Sequence, residues 1–124
     1  MKKVMIIEDD LTTQSLLSTL LGFEGYEIFL PNQVSEESIL DDIVRLHPDL
    51  LLMDVHLRKV NGLSILKIVR QSPDMNTLKV VITSGEDYSF ECKKFGANGF
   101  LMKPYMPDDL TQMISRLLGL NSTP

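Results

Sequence analysis

Residues Leu50-Leu51-Leu52-Met53-Asp54 form an unbroken apolar run that ends on a carboxylate. A run of this kind, without polar alternation, predicts a strand that is covered on both faces, as in a parallel sheet. Two further runs have the same character, Val4-Met5-Ile6-Ile7 before it and Val80-Val81-Ile82 after it. We therefore expect these three strands to lie in the centre of one sheet.

The apolar runs alternate with longer stretches of helical periodicity, which predicts parallel strands joined by crossover helices. The predicted strands are 4–8, 26–30, 49–54, 79–83 and 99–102. The predicted helices begin after Asp10, near Ser35, at about Leu63, at Tyr88 and at Pro107. This pattern indicates a doubly wound α/β fold with a central five-stranded parallel sheet and helices on both faces.

The length of the chain, 124 residues, suits one domain with one hydrophobic core. We expect that domain to span residues 1–120. The last four residues, Asn121-Ser122-Thr123-Pro124, are polar and small. They are interpreted as a tail or as the start of a linker to a further segment.

Charge and cysteine content exclude several classes of function. Twelve Lys and Arg against seventeen Asp and Glu give a formal net charge of -5, which disfavours direct binding of nucleic acid. The single cysteine, Cys92, can form neither an intrachain disulfide nor a cysteine-rich zinc site, so a reducing cytoplasm is expected. The apolar runs are too short for a membrane span, and the first of them is too short for a signal peptide.

The polar residues that follow the predicted strands are the candidate site, because ligands of an open parallel sheet bind at the carboxyl ends of its strands. These residues are Glu8, Asp9, Asp54, Thr83 and Lys103. Any one of the acids could instead cap a helix or face solvent. Together, three carboxylates repel one another unless a cation lies among them, and hard oxygen ligands of this type suit Mg²⁺.

The chain also resembles, over nearly its whole length, the receiver domain of response regulators in bacterial two-component signalling, with a chemotaxis-regulator-like organisation. The matching segments are 4–10, 51–54 with Gly62, 81–84 and 96–105. Each segment is a weak signal alone, but their order and spacing make a chance match improbable. The resemblance implies a (βα)5 flavodoxin-like fold.

The resemblance implies a role for each candidate residue. Asp54 would accept a phosphoryl group from a histidine kinase, a phosphotransfer protein or a small phosphodonor. Mg²⁺ would be held by Glu8, Asp9, Asp54 and the backbone carbonyl of His56. Lys103 would neutralise charge during the transfer, aimed into the site by a cis peptide bond before Pro104.

Thr83 and Phe100 would form the switch, with the Thr83 hydroxyl sensing the phosphoryl group and the Phe100 ring turning inward. Phe100 could equally be an ordinary core residue. The role of His56, two residues after Asp54, stays open. Its imidazole could assist hydrolysis of the phosphoryl group, block it, or take no part in it. Asp10 is interpreted as a helix cap and not as a metal ligand.

The function expected from these features is signalling and not enzymatic turnover of a substrate, apart from self-catalysed gain and loss of the phosphoryl group. The partners would be the phosphodonor protein and a downstream protein. The latter would bind the face formed by the fourth helix, fifth strand and fifth helix, near Met102, Tyr105 and Met106. We expect a cytoplasmic protein without membrane insertion.

Three alternatives stay open at this point. The chain could be the receiver of a longer transcriptional or enzymatic regulator. It could be a Mg²⁺-dependent aspartyl phosphohydrolase, although haloacid-dehalogenase-like enzymes carry an acid where this chain has His56. It could also be a receiver-like domain that binds a partner constitutively, which the complete set of five site residues disfavours.

Overall fold

The structure is a computed structural model that describes residues 1–31 and 35–120. Within these ranges, strands and helices alternate from the first element to the last. The elements in chain order are β1 Lys3–Ile7, α1 Leu11–Phe23, β2 Glu27–Phe29, α2 Glu36–Leu46, β3 Leu50–Asp54, α3 Gly62–Gln71, β4 Lys79–Ser84, α4 Ser89–Phe95, β5 Gly99–Met102 and α5 Pro107–Leu117.

The five strands form one parallel sheet in the order β2-β1-β3-β4-β5. The three apolar runs are its central strands β1, β3 and β4, as expected from their lack of polar alternation. The order reverses between β1 and β3, which is the point where a doubly wound sheet opens a crevice at the carboxyl ends of its strands. The predicted α/β fold is therefore confirmed.

Among the described residues, the sheet divides the expected single core into two clusters of buried apolar side chains, one on each face. Met5, Ile7, Leu51 and Met53 belong to one core together with apolar residues of α2, α3 and α4. The residues that alternate with them along β1 and β3 belong to the other core, which includes residues of α1 and α5. Because successive side chains of a strand point to opposite faces, a continuous apolar run can supply both cores.

Some element boundaries differ from those predicted. Glu8 lies just beyond β1, whose pairing with β3 ends at the register pair of Ile7 and Met53. The second strand is only three residues long, 27–29 against the predicted 26–30, and it is an edge strand paired on one side. The fourth strand continues to Ser84, which pairs with Met102 of β5.

Side-chain caps fix the start of three helices at the residues that precede them. Asp10 accepts a hydrogen bond from the backbone N–H of Thr13 at 2.9 Å, which confirms its interpretation as the cap of α1. Ser35 caps α2, and Asn61 caps α3 through its side-chain oxygen. By contrast, Tyr88 precedes α4 without a side-chain hydrogen bond to it.

Arg70 joins several segments at the amino-terminal edge of the sheet. Its Nε donates to the carbonyl of Gly96 at 2.8 Å, and Nη1 donates to the carbonyl of Leu78 at 2.7 Å. Its Nη2 donates to Asn98 Oδ1 at 2.8 Å. The end of α3, the start of β4 and the turn after α4 are thus held by one guanidinium group.

No helix within residues 1–31 and 35–120 has the length and apolar character required to cross a membrane. The predicted tail, residues 121–124, lies outside the described residues.

Candidate functional site

Lys103 is the centre of a cluster at the carboxyl ends of the strands. Its ammonium nitrogen lies 3.0 Å from Asp54 Oδ2 and 3.1 Å from Glu8 Oε1. The Glu8 and Asp54 side chains are only 6% and 12% exposed, whereas that of Lys103 is 31% exposed. Two nearly buried carboxylates therefore share one ammonium group that is still accessible from solvent.

The sheet brings these residues together from distant parts of the sequence. Glu8 follows β1, Asp54 is the last residue of β3, and Lys103 follows β5. The peptide bond between Lys103 and Pro104 is cis, as the family resemblance implied. Lys103 is also attached to β4, because its backbone N–H donates to the Ser84 carbonyl at 2.8 Å.

The electrostatics of the cluster keep Lys103 charged. Burial lowers the pKa of its ammonium group, but hydrogen bonds to Asp54 and Glu8 outweigh burial and raise the pKa above its ordinary value of 10.5. Burial also raises the pKa of the neighbouring Tyr105 phenol, an effect that the Lys103 charge partly opposes. At neutral pH the site thus presents a fixed positive charge beside Asp54.

Asp9 and Asp10, which follow Glu8 directly, have separate partners. The Asp9 carboxylate accepts a hydrogen bond from the backbone N–H of Arg58, in the loop after β3. The Asp10 backbone N–H donates to Glu8 Oε2 at 3.0 Å, so the start of α1 helps to orient Glu8. Hydrogen bonds from Thr13 lower the pKa of the Asp10 carboxyl, consistent with its role as a helix cap.

The loop after Asp54 packs closely against the strand that carries it. A Cβ atom at Gly62 would overlap the backbone carbonyl oxygen of Asp54, so no larger residue fits without movement of the backbone. The Gly62 N–H donates to the Val55 carbonyl at 2.8 Å. The N–H of His56 lies 3.3 Å from Asp54 Oδ1. The start of α3 therefore packs against the backbone of Asp54, and the His56 N–H contacts its carboxylate.

The two predicted switch residues lie on adjacent strands beside Asp54. Thr83 is buried and is the register partner of Asp54. Phe100 is half-buried, pairs in register with Ile82, and packs against the core on the α2–α4 face. The structure thus puts Thr83 next to Asp54 and Phe100 one strand further away, while their movement remains a prediction.

A pair that the sequence interpretation did not identify lies beside this cluster. His56 Nε2 is 3.3 Å from Glu86 Oε1, and the His56 ring makes an edge contact with Tyr88 at a centroid distance of 5.5 Å. Glu86 received no role from sequence, although it stands three residues after Thr83 in the loop beside that of His56. The adjacency of β3 and β4 was the signal that could have paired them.

The oxygen donors in the cluster are chemically suited to Mg²⁺. Glu8 and Asp54 already face one cation, the Lys103 ammonium, and Asp9 lies against the loop that follows Asp54. In this arrangement, however, no three Asp, Glu, His or Cys side chains of the described ranges are gathered closely enough to hold a metal ion. Asp9 would need to turn from Arg58 to complete such a group.

The region around the end of β5 contains accessible apolar side chains. Met102 and Met106 are exposed, and Tyr105 is half-buried against the core on the α1 and α5 face. Exposed methionines of this kind are frequent at adaptable protein interfaces. The predicted partner surface is therefore open to solvent within the described chain.

Comparisons with known proteins agree with this geometry. A family model described as the response regulator receiver domain matches residues 4–115. The transcriptional regulatory protein CpxR of Klebsiella pneumoniae is 31% identical over 119 residues, which are 95% of this chain and 50% of that protein. The chain thus spans about half the length of this and similar curated relatives, and 26% of the regulatory protein AtoC of Escherichia coli.

Solved structures give the same result. A crystal structure from Chloroflexus aurantiacus, of a protein provisionally described as a response regulator, has a TM-score of 0.85 and 32% identity. The match covers 95% of this chain and 98% of that one. The receiver domain of a sensor histidine kinase from Pseudomonas aeruginosa has a TM-score of 0.82, 21% identity and coverages of 95% and 98%. That structure is described with a magnesium ion coordinated in its active-site cleft.

Proposed function

Because the chain belongs to the response regulator receiver domain family, we propose that it accepts a phosphoryl group on Asp54 and thereby switches a protein-binding surface. The observation that carries the proposal is the contact of Lys103 with both Asp54 and Glu8. It puts a permanent positive charge beside a carboxylate that stands at the carboxyl end of a central strand. Nucleophilic attack on phosphorus needs this arrangement of nucleophile and fixed cation.

In the proposed reaction a carboxylate oxygen of Asp54 attacks the phosphorus of the donor. The bond between phosphorus and the donor's leaving group breaks, and an aspartyl phosphate forms. The Lys103 ammonium, now paired with two carboxylates, neutralises part of the charge on the transferred phosphoryl oxygens. No further substrate is turned over, so the chain acts as a phosphoacceptor and not as an enzyme in the ordinary sense.

Magnesium is proposed as the cofactor, held by Glu8, Asp9, Asp54 and the backbone carbonyl of His56. The oxygen chemistry of these groups and the magnesium described in the Pseudomonas aeruginosa receiver domain support this assignment. The bound ion would supply Lewis-acid neutralisation of the phosphoryl oxygens. To bind the ion, the Asp9 carboxylate would give up the hydrogen bond that it accepts from the Arg58 N–H.

Thr83 and Phe100 are proposed to relay the change. Thr83 is the register partner of Asp54, and its hydroxyl can donate to a phosphoryl oxygen once one is present. Phe100 lies on the neighbouring strand β5 and packs against the core on the face covered by α2, α3 and α4. A downstream protein would bind the surface of α4, β5 and α5 near Met102, Tyr105 and Met106.

The proposal extends to the place of the domain in signalling. The phosphodonor would be a sensor histidine kinase or a phosphotransfer protein, acting in the cytoplasm on a receiver domain that spans residues 1–120. The family and the transcriptional regulators among the relatives support these partners. Any DNA-binding output would belong to a separate segment, because the acidic chain itself disfavours nucleic acid.

The direct test is labelling with acetyl phosphate and Mg²⁺, followed by intact-mass spectrometry. The wild type should gain one phosphoryl group, and Asp54→Asn should gain none. Asp74→Asn is the matched control, because Asp74 is exposed in the loop after α3, outside the Lys103 cluster. Equal labelling of the wild type and Asp54→Asn would refute the assignment.

The switch requires a second measurement. Thr83→Ala retains the nucleophile but lacks the sensing hydroxyl, so it should be labelled while the amide chemical shifts around Phe100 respond less than in the wild type. An undiminished response around Phe100 would remove Thr83 from the proposed relay.

A further inference from the structure

Three of the seven methionines in the chain are exposed, and two of them lie four residues apart at the end of β5. Met102 is the last residue of that strand and is 49% exposed, whereas Met106 precedes α5 and is 68% exposed. Both belong to the surface proposed above for a downstream protein. The third, Met1, is 89% exposed and precedes β1, so it lies at the opposite edge of the sheet.

The backbone is held in place at both positions of this surface. Met102 is the register partner of Ser84 on β4. The backbone N–H of Met106 donates to Asp109 Oδ2, in the first turn of α5, at 3.1 Å. Tyr105, which lies between the two methionines in the chain, is half-buried against the core on the α1 and α5 face. The two thioether side chains are therefore accessible from solvent on an ordered backbone.

The other sulfur atoms of the chain are covered by protein. Four sulfur-containing residues are buried in the core, namely Met5, Met53, Met75 and Cys92. Met113 is half-buried, and a Cβ atom at Gly99 would lie 2.5 Å from its Sδ, so the backbone of β5 covers that sulfur from one side. An oxidant in solvent would therefore reach the thioethers of the partner surface, and that of Met1, before any of the others.

We propose that Met102 and Met106 form a reversible oxidation site, at which a peroxide converts the partner surface from apolar to polar. This inference rests on the proposed partner surface. In the reaction, the thioether sulfur attacks one peroxide oxygen, the O–O bond breaks, and the S–O bond of methionine sulfoxide forms. The sulfur is oxidised by two electrons and the peroxide is reduced. With hydrogen peroxide, the transferred oxygen gives up its proton and the other oxygen leaves as water.

The chemical change alters what the surface can bind. A methionine side chain is apolar and adapts its shape to a partner, whereas a sulfoxide oxygen accepts hydrogen bonds and must be desolvated when a partner covers it. Asp54 and Lys103 contain no sulfur, so the phosphorylation site itself keeps its groups. A methionine sulfoxide reductase reverses the change: two thiols are oxidised to a disulfide, the sulfoxide oxygen leaves as water, and the thioether is restored.

The first measurement compares oxidation rates residue by residue. The folded protein is treated with hydrogen peroxide at pH 7, quenched with catalase at intervals, digested, and analysed by peptide mass spectrometry. Met102 and Met106 should each be oxidised at least about tenfold faster than Met5 and Met53, because the core methionines react only when the fold opens. In the urea-unfolded chain this difference should disappear. Met1 serves as the internal standard for an exposed thioether.

The second measurement follows the polarity of the surface by hydrophobic-interaction chromatography. The peroxide-treated wild type should elute earlier than the untreated protein, and treatment with methionine sulfoxide reductases should restore its retention. The double variant Met102→Leu and Met106→Leu stays apolar but has no thioether at these positions, so the peroxide should shift it much less. Because Met1 is oxidised in both proteins, the difference between them belongs to the two replaced residues. Met75→Leu, which changes a buried methionine, is the matched control and should shift like the wild type.

Oxidation of Met102 and Met106 no faster than that of Met5 and Met53 would overturn the inference, and so would equal shifts in retention for the wild type and the double variant. The oxidised wild type should keep its melting temperature, and acetyl phosphate with Mg²⁺ should label it as fully as the untreated protein. A loss of either would place the effect in the fold or at the phosphorylation site and would overturn the inference as well. If the untreated wild type takes up no phosphoryl group, the proposed function fails instead, and the oxidation rates still test the site.

Discussion

Replacing Lys103 with methionine should lower the free energy of unfolding by about 3 kcal/mol in the presence of a chelator. The substitution keeps most of the side-chain length and removes the ammonium group. Glu8 Oε1 and Asp54 Oδ2 both lie near 3 Å from that nitrogen, so they can be no more than about 6 Å apart. At that separation and an effective dielectric of about 20, two unit charges repel by about 3 kcal/mol.

This repulsion is masked in the wild type because the ammonium group lies between the two carboxylates. The pKa of Lys103 is raised, so its stabilising contribution is fully present below the ordinary value of 10.5 and is lost only as the pH rises through the higher folded-state pKa. At pH 7 the full effect of Lys103→Met should therefore be visible. For a domain of this length it corresponds to a fall of roughly 10 °C in melting temperature.

The assay is urea denaturation at pH 7 for four proteins: the wild type, Lys103→Met, Asp54→Asn and the double variant. In the Asp54→Asn background the repulsion is already absent, so Lys103→Met should cost much less there. Lys2→Met, at an exposed lysine, should change stability by no more than about 0.5 kcal/mol. If Lys103→Met costs the same in both backgrounds, to within about 0.5 kcal/mol, the ammonium group does not offset this repulsion.

Two further predictions follow from packing and burial. Gly62→Ala should lower the free energy of unfolding by about 2 kcal/mol or more, because the added Cβ would overlap the Asp54 carbonyl oxygen. Gly22→Ala is the control: it lies within α1, its Cβ would meet open space, and the change should be neutral or stabilising. A urea titration of both variants checks this, and equal effects would contradict the proposed crowding. Burial raises the pKa of the Cys92 thiol to about 11, so the native protein at pH 8 should react with iodoacetamide far more slowly than the urea-unfolded chain. Rapid alkylation of the native protein would contradict it.

The fold could be predicted from the sequence because apolar runs and helical periodicity are local patterns. An apolar run such as Val4 to Ile7 is expected to be covered on both faces of the sheet. Its residues do pack alternately into the clusters on the two faces. Strand ends are less determined by local sequence. The predicted first strand included Glu8, but backbone pairing with β3 stops at Ile7, and only the partner strand decides that.

The convergence of the strand ends was predictable from the sequence, and the side-chain contacts made there were less so. The rule that strand ends converge identified Asp54 and Lys103 as neighbours, and their ammonium–carboxylate distance of 3.0 Å agrees with it. The similar contact of Glu8 with the Lys103 ammonium group depends on side-chain conformations, which a local sequence pattern does not predict. The contact of His56 with Glu86 was missed for a related reason, since it joins two loops whose approach is set by the sheet.

The guanidinium group of Arg70 anchors the carboxyl end of α4. The helix is attached where it ends through the Gly96 carbonyl and Asn98, whereas at its start Ser89 donates to Asp87 Oδ1, an exposed local contact two residues back. Seven helical residues measure about 10 Å, so a shift of about 1 Å at Tyr88 tilts the axis by roughly 6° around the anchored end. A displacement in the loop of Glu86 would therefore tilt α4, with the smallest movement near the contacts of Arg70.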